Sequence, residues 1–195
     1  MRRTIVLLAT MALTLLVASG VALAVNKIGG PGPDVLRGTD NRDRLEGKGG
    51  PDALFGLGAG DCLAGGNGPD TLEGGPGPDN MRGGPVRSGP HPCEVEGLVE
   101  RPAASDVMRG GPGADVMTGN RGADVIRGGR GDDQLADGEV HRGALDALFG
   151  SAGDDTFYPG NDPSRKDVVF CGSGHDEVFA DHLDVVSGDC EVVHR

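Results

Sequence analysis

Fourteen aspartates occupy the same place in a recurring nine-residue unit: Asp34, Asp43, Asp52, Asp61, Asp70, Asp79, Asp106, Asp115, Asp124, Asp133, Asp146, Asp155, Asp167 and Asp176. Two residues after each stands Leu, Met, Ile, Val or Phe, from Leu36 to Val178. Asp outnumbers Glu by 22 to 8. A merely solubilising surface does not require that preference, whereas short carboxylates held against a tight turn do. A hard cation takes several oxygens from carboxylates and backbone carbonyls. The fourteen carboxylates are therefore read as a metal-ligand set.

The units that carry them run GGPGPDVLR, GTDNRDRLE, GKGGPDALF, GLGAGDCLA, GGNGPDTLE and GGPGPDNMR from Gly29 to Arg82. They resume as RPAASDVMR, GGPGADVMT, GNRGADVIR and GGRGDDQLA, ending at Ala136, and close with HRGALDALF, GSAGDDTFY, DPSRKDVVF and CGSGHDEVF. Seven of the 13 prolines fall at position three or five, and none falls in the last three positions of a unit. Proline lacks the N–H that a sheet ladder uses, so those last three positions read as a short strand and the first six as a turn. Glycines at positions one, two and four are read as supplying the positive φ that such a turn needs. The position-eight residues then stack as an internal apolar ladder. With no Trp, one Tyr and five Phe among 195 residues, an ordinary aromatic-rich core is excluded. The 37 glycines are periodic, which argues against disorder.

The pattern G-G-x-G-x-D-x-U-x resembles the repeats-in-toxin (RTX, haemolysin-type) calcium-binding family over residues 29–179. The resemblance implies an all-β, right-handed parallel β-roll, a solenoid with two nonads per coil. It also implies several calcium ions, each between turns n and n+2. Free-standing repeats without a cargo domain point to a secreted calcium-binding protein that folds on calcium, with a structural or cell-surface adhesive role and a polysaccharide or protein partner. The alternative is a calcium-dependent polysaccharide lyase or epimerase on a parallel solenoid. That needs a groove with clustered Arg, Lys or Tyr, and this chain has three Lys and one Tyr.

The pattern weakens in definable places. Residues 83–100 hold no Asp, yet their length is two nonads, so residues 83–105 are expected as a degenerate coil or an inserted loop. Residues 137–140 and 159–161 are short insertions that shift the frame. GLGAGDCLA, RPAASDVMR, HRGALDALF and DPSRKDVVF have poor turn halves, which places their metal sites in doubt. Residues 180–195 leave the nonad and are read as the cap that a solenoid's last coil requires.

At the other end, Arg2 and Arg3, the apolar run Ile5 to Val17 and Ala22-Leu23-Ala24 read as a cleaved export signal over residues 1–24, followed by a linker at 25–28. Extracellular location follows, with no membrane span after cleavage. Four cysteines in an exported chain favour two disulfides. Three connectivities are open, and the local one, Cys62–Cys93 with Cys171–Cys190, would tie each irregular segment back to regular roll.

Other chemistries find little support. The formal charge of -12 disfavours nucleic acid. No H-E-x-x-H and no G-x-S-x-G occurs, so the zinc-protease and lipase signatures are missing and no catalytic residue is assigned. GKGGPD and GLGAGD superficially resemble phosphate loops, but the nonad explains both. His91, His141, His175, His182 and His194 are scattered, and Arg130-Gly131-Asp132 arises from the repeat's own grammar.

Overall fold

The computed structural model describes residues 23–84, 105–138, 144–160 and 166–195. Most of the export-signal segment and Cys93 lie outside them. Among the described residues there are seventeen strands and no helix. They run from β1 (Asn26–Ile28), β2 (Val35–Arg37), β3 (Arg44–Gly49), β4 (Ala53–Phe55), β5 (Cys62–Asn67), β6 (Thr71–Glu73) and β7 (Asn80–Arg82) onward. The others used below are β8 (Val107–Pro112), β9 (Val116–Thr118), β14 (Val168–Ser173), β15 (Glu177–Phe179), β16 (Val185–Val186) and β17 (Val192–His194).

Odd-numbered strands form one nine-stranded sheet and even-numbered strands an eight-stranded one. Within each sheet every pairing is parallel; Val35 aligns with Ala53, and Ala53 in turn with Thr71. That register is two nonads per coil, as the resemblance implies. The architecture is a parallel β-solenoid. Six strands, β3, β5, β8, β14 and the two between β9 and β14 with even positions in the ladder (Val125–Arg130 and Ala147–Ala152), extend to six residues. In these the strand continues past position nine into the next unit, further than the three residues expected.

Residues 85–104, within the stretch expected as a degenerate coil or an inserted loop, lie outside the described residues. Strand β6 pairs directly with β8, Thr71 against Val107, and β7 pairs with β9, Asn80 against Val116. The described coils on either side are therefore direct neighbours in both sheets. Two boundaries move. Residues 26–28, expected as linker, form β1 and align with Arg44–Glu46 of β3. At the other end β16 and β17 continue both sheets, Val185 against Val168 and Val192 against Glu177.

The core is a single file of position-eight side chains. Leu45, Leu54, Leu72, Met108, Met117, Ile126, Leu135, Leu148, Phe157, Val169 and Val178 are fully buried between the sheets. Side-chain alternation puts positions seven and nine on the outside. The space is narrow, and Phe157 fits partly because Gly150 beside it has no side chain: a Cβ there would stand 2.8 Å from the Phe157 ring. On the outer surface Phe149 stacks on Phe170 at 5.0 Å, and Tyr158 stacks on Phe179 at 5.1 Å.

Candidate metal centre

The turns that join the sheets bring the aspartates into two columns, one along each edge of the solenoid. Asp34, Asp52, Asp70, Asp106, Asp124, Asp146 and Asp167 precede even strands; Asp43, Asp61, Asp79, Asp115, Asp133, Asp155 and Asp176 precede odd ones. All of them are buried except Asp34, which sits half-exposed in the first turn. One hydrogen bond repeats down each column. The backbone N–H of an aspartate donates to Oδ1 of the equivalent aspartate one coil later, as Asp34 to Asp52 at 2.8 Å and Asp52 to Asp70 at 2.9 Å. The same bond joins coils across residues 85–104, Asp70 to Asp106 at 2.7 Å, and across the frame shift, Asp133 to Asp155 at 2.9 Å. Each carboxylate is thus fixed by the coil before it.

The second oxygen is left over. Oδ2 of Asp52, Asp61, Asp70, Asp79, Asp115, Asp124, Asp133, Asp146, Asp155 and Asp176 is buried and accepts no hydrogen bond. A buried carboxylate oxygen without a donor is costly. Each of these Oδ2 atoms from Asp52 to Asp115 lies over the position-one residue five before it in its own turn, and that residue is Gly. A Cβ on Gly47, Gly56, Gly65 or Gly110 would come closer than 3.0 Å to Oδ2 of its own turn and to the carbonyl oxygen of the position-one Gly one coil on. Carboxylate and carbonyl oxygens therefore converge on a cradle that any side chain at position one would fill. This corrects the expected role of that glycine. Positive φ is confined to positions two and four, as at Gly66 (φ 114) and Gly68 (φ 116), and position one is Gly because of the close approach.

Electrostatics agree with the geometry. Burial, opposed by the backbone hydrogen bond and assisted by the flanking carboxylates, pushes Asp106 up to about 8. The same causes raise Asp70 and Asp79 to about 7, and burial, offset by the backbone bond from Asp106, raises Asp124 to about 6. Columns of desolvated like charges need a counter-charge. Orphaned carboxylate oxygens and inward carbonyls are hard-cation ligands, and these residues fit calcium.

The aspartates of the units with poor turn halves, Asp61, Asp106, Asp146 and Asp167, keep the column's bond. Leu57 and Ala59 adopt φ 89 and 69 where glycine stands elsewhere, and Asp61 still receives the Asp43 N–H at 2.8 Å. Gly83, not Arg101, serves as position one for Asp106, since its missing Cβ faces Asp106 Oδ2. Two column members escaped the sequence reading. Asp184 accepts from the Asp167 N–H at 3.1 Å, and Glu191 accepts from the Asp176 N–H at 2.8 Å. A third, Asp137, takes position one in the turn before Asp146. The signal that was available for the first two was an acid directly before a short apolar pair, Val185-Val186 and Val192-Val193.

Cys171 and Cys190 are bonded, tying β14 to the cap across a separation of 19 residues. Cys62 is disulfide-bonded too; because Cys93 lies outside the described residues, that pairing stays as expected above. His194 pairs with Glu177 at 2.8 Å on the surface. Among the described residues no helix is long and apolar enough to cross a membrane.

A family model described as the RTX calcium-binding nonapeptide repeat matches four stretches, residues 28–63, 64–85, 103–135 and 146–162, together more than half of the chain. No curated protein matches it.

Proposed function

Because the chain belongs to the RTX calcium-binding repeat family, we propose that it is a secreted protein whose folding is driven by calcium and which serves as a structural or cell-surface adhesive element. The fourteen repeat aspartates, from Asp34 to Asp176, act as its ligands. The observation that carries this reading is the pair of columns in which successive buried Oδ2 atoms lack any donor. Adjacent parallel strands lie about 4.8 Å apart, so metal-free columns repel, and the single-file core offers little to oppose that. Calcium removes the repulsion, and its binding free energy becomes folding free energy. Open turns in an extracellular module place the folding midpoint on the order of 0.1–1 mM calcium.

Circular dichroism of the mature chain, first in calcium and then in excess chelator, tests this directly. The β signal should appear with the metal and vanish with the chelator. A chain equally rich in β-structure in chelator would defeat calcium-driven folding. The lyase alternative would have Tyr158 aimed into a groove; instead it stacks nearly parallel on Phe179, at 6° between planes. Binding to cells or acidic polysaccharide, assayed with and without calcium, tests the adhesive role.

A further inference from the structure

Down each column the donor is the backbone N–H of an aspartate, and the acceptor is Oδ1 of the aspartate one coil later. At the head of the column that precedes the odd strands, the donor is Val25. Its N–H reaches Asp43 Oδ1 at 2.6 Å, and its carbonyl accepts from the Arg44 N–H at 2.9 Å. Val25 therefore holds the column place eighteen residues before Asp43, without the carboxylate that belongs there. Asp43 itself is 2% exposed. Its Oδ2 accepts from the Thr39 N–H and, at 3.0 Å, from the Thr39 hydroxyl. Those donors are neutral.

A second, independent reading ends at the same residue. Ala22-Leu23-Ala24 has the small-residue pattern at which an export leader is cut, so the expected cut falls between Ala24 and Val25. That cut is read from the sequence, whereas the column place of Val25 follows from the pairing of β1 with β3, Asn26 against Arg44. Leu23 and Ala24 are exposed and Val25 is half-buried. Hydrolysis of the Ala24–Val25 peptide bond takes up one water and leaves a carboxylate on Ala24. The nitrogen of Val25 becomes an α-amine, which is protonated at neutral pH.

We propose that leader removal at the Ala24–Val25 bond sets the new α-ammonium on Asp43 Oδ1, so that the mature N-terminus is a built-in cation at the head of one carboxylate column. This rests on the export reading above. Before the cut, Val25 offers an amide N–H; after it, the donor in the same place carries a full charge. A charged donor on a carboxylate is stronger than a neutral one. The first coil has no coil before it to help hold it, and the ammonium fastens it without one. Export and the closing of the roll's first turn are thus joined in one bond cleavage.

The test has two parts. The chain from Met1 is exported from a secreting bacterial host and its first residue is determined; Val25 is expected. Chains beginning at Val25 and at Leu23 are then compared in saturating calcium. The Leu23 chain keeps the Val25 N–H but carries its ammonium two residues further out. Amide exchange at Gly29 and Arg44, whose N–H groups bond to the Glu46 and Val25 carbonyls, should be about three- to tenfold slower in the Val25 chain. Asp43→Asn, made in both lengths, should remove most of that difference. Should that variant not fold, Nα-acetylation of the Val25 chain, which keeps an N–H and removes the charge, should bring its exchange to that of the Leu23 chain. A first residue other than Val25 overturns the proposal together with the expected cut. Equal exchange in the two chains, or a difference that persists in full in Asp43→Asn or after acetylation, overturns the pairing alone and leaves the export reading standing.

Discussion

Replacing Gly47 with alanine adds one methyl group at the point where two oxygens converge. The new Cβ would stand 2.5 Å from the Gly65 carbonyl oxygen and closer still to Asp52 Oδ2. Gly47 lies outside the left-handed region, so the backbone itself accepts alanine without strain. All of the cost is contact. The carboxylate can swing aside, but the Gly65 carbonyl belongs to the backbone and cannot move without disturbing the ladder. Overpacking of this kind costs about 1–3 kcal/mol, and displacement of Asp52 removes an anionic ligand from its column as well. For a chain of this size each kcal/mol is about 2–4 °C in Tm, so Gly47→Ala should melt roughly 2–12 °C lower in saturating calcium and need more calcium to fold. Gly188→Ala is the control: nothing lies within 4 Å of its Cβ position, and a change within about 0.5 kcal/mol is expected. Thermal melts and calcium titrations of the two variants side by side decide the matter. If Gly47→Ala matches Gly188→Ala in both, the converging-oxygen cradle is not what fixes glycine at position one.

Asp52→Ala should weaken calcium binding along its own column, at Asp34 and Asp70, before the Asp43, Asp61 and Asp79 edge. Exposed Asp40→Ala should change stability by no more than about 0.5 kcal/mol; loss confined to the opposite edge in calcium-saturated crystals would contradict the column assignment. Acid should partly replace calcium. Burial raises the folded-state values of Asp61, Asp70, Asp79 and Asp106 to about 6, 7, 7 and 8, well above the ordinary carboxylate range. A raised carboxylate stabilises the metal-free fold below its unfolded value and loses that contribution as pH rises through its folded one. Chelator-treated protein should therefore gain β-structure as pH falls from about 8 towards 4, and a β signal flat across that range would refute the argument. Reducing Cys171–Cys190 opens a loop of about 20 residues and should destabilise the last coils by about 3 kcal/mol, visible as faster amide exchange in residues 166–195; unchanged exchange would show that the strands hold the cap unaided.

The repeat made much of this architecture legible because side-chain type and backbone role recur together. A phase shared by Asp at position six and an apolar residue at position eight suffices to set strand and inner face, while coil length came with the family resemblance. Proline placement marks the turns. The misreadings have equally local causes. Residues 83–100 have the length of two nonads, so Asp106 keeps phase with Asp34 whether residues 83–105 wind or loop out, while β6 and β8 pair directly, Thr71 against Val107. Residues 26–28 were missed because Val25, not an aspartate, precedes them, although its N–H makes the column's usual bond to Asp43 Oδ1 at 2.6 Å. Asp184 and Glu191 were missed because the cap shortens its turns, placing them 17 and 15 residues after their partners. Asp137 was hidden by the frame shift that follows it: its carboxylate partner comes nine residues later instead of five.

The bond from each aspartate N–H to the next coil's carboxylate gives the solenoid a sense of direction. A coil is finished not by its own residues but by an acceptor that arrives about eighteen residues later. Along a chain released N-terminus first, every turn waits on its successor, and completion travels towards the C-terminus, where Asp184 and Glu191 supply the last acceptors. Because the requirement is the same at each step, whole coils are interchangeable. Deleting residues 47–64 would bring Asp70 into the place of Asp52 with both columns unbroken, whereas deleting nine residues would exchange the two edges from that point onward. Length is thus free to vary in steps of one coil, and the ending is the part that must be written specifically.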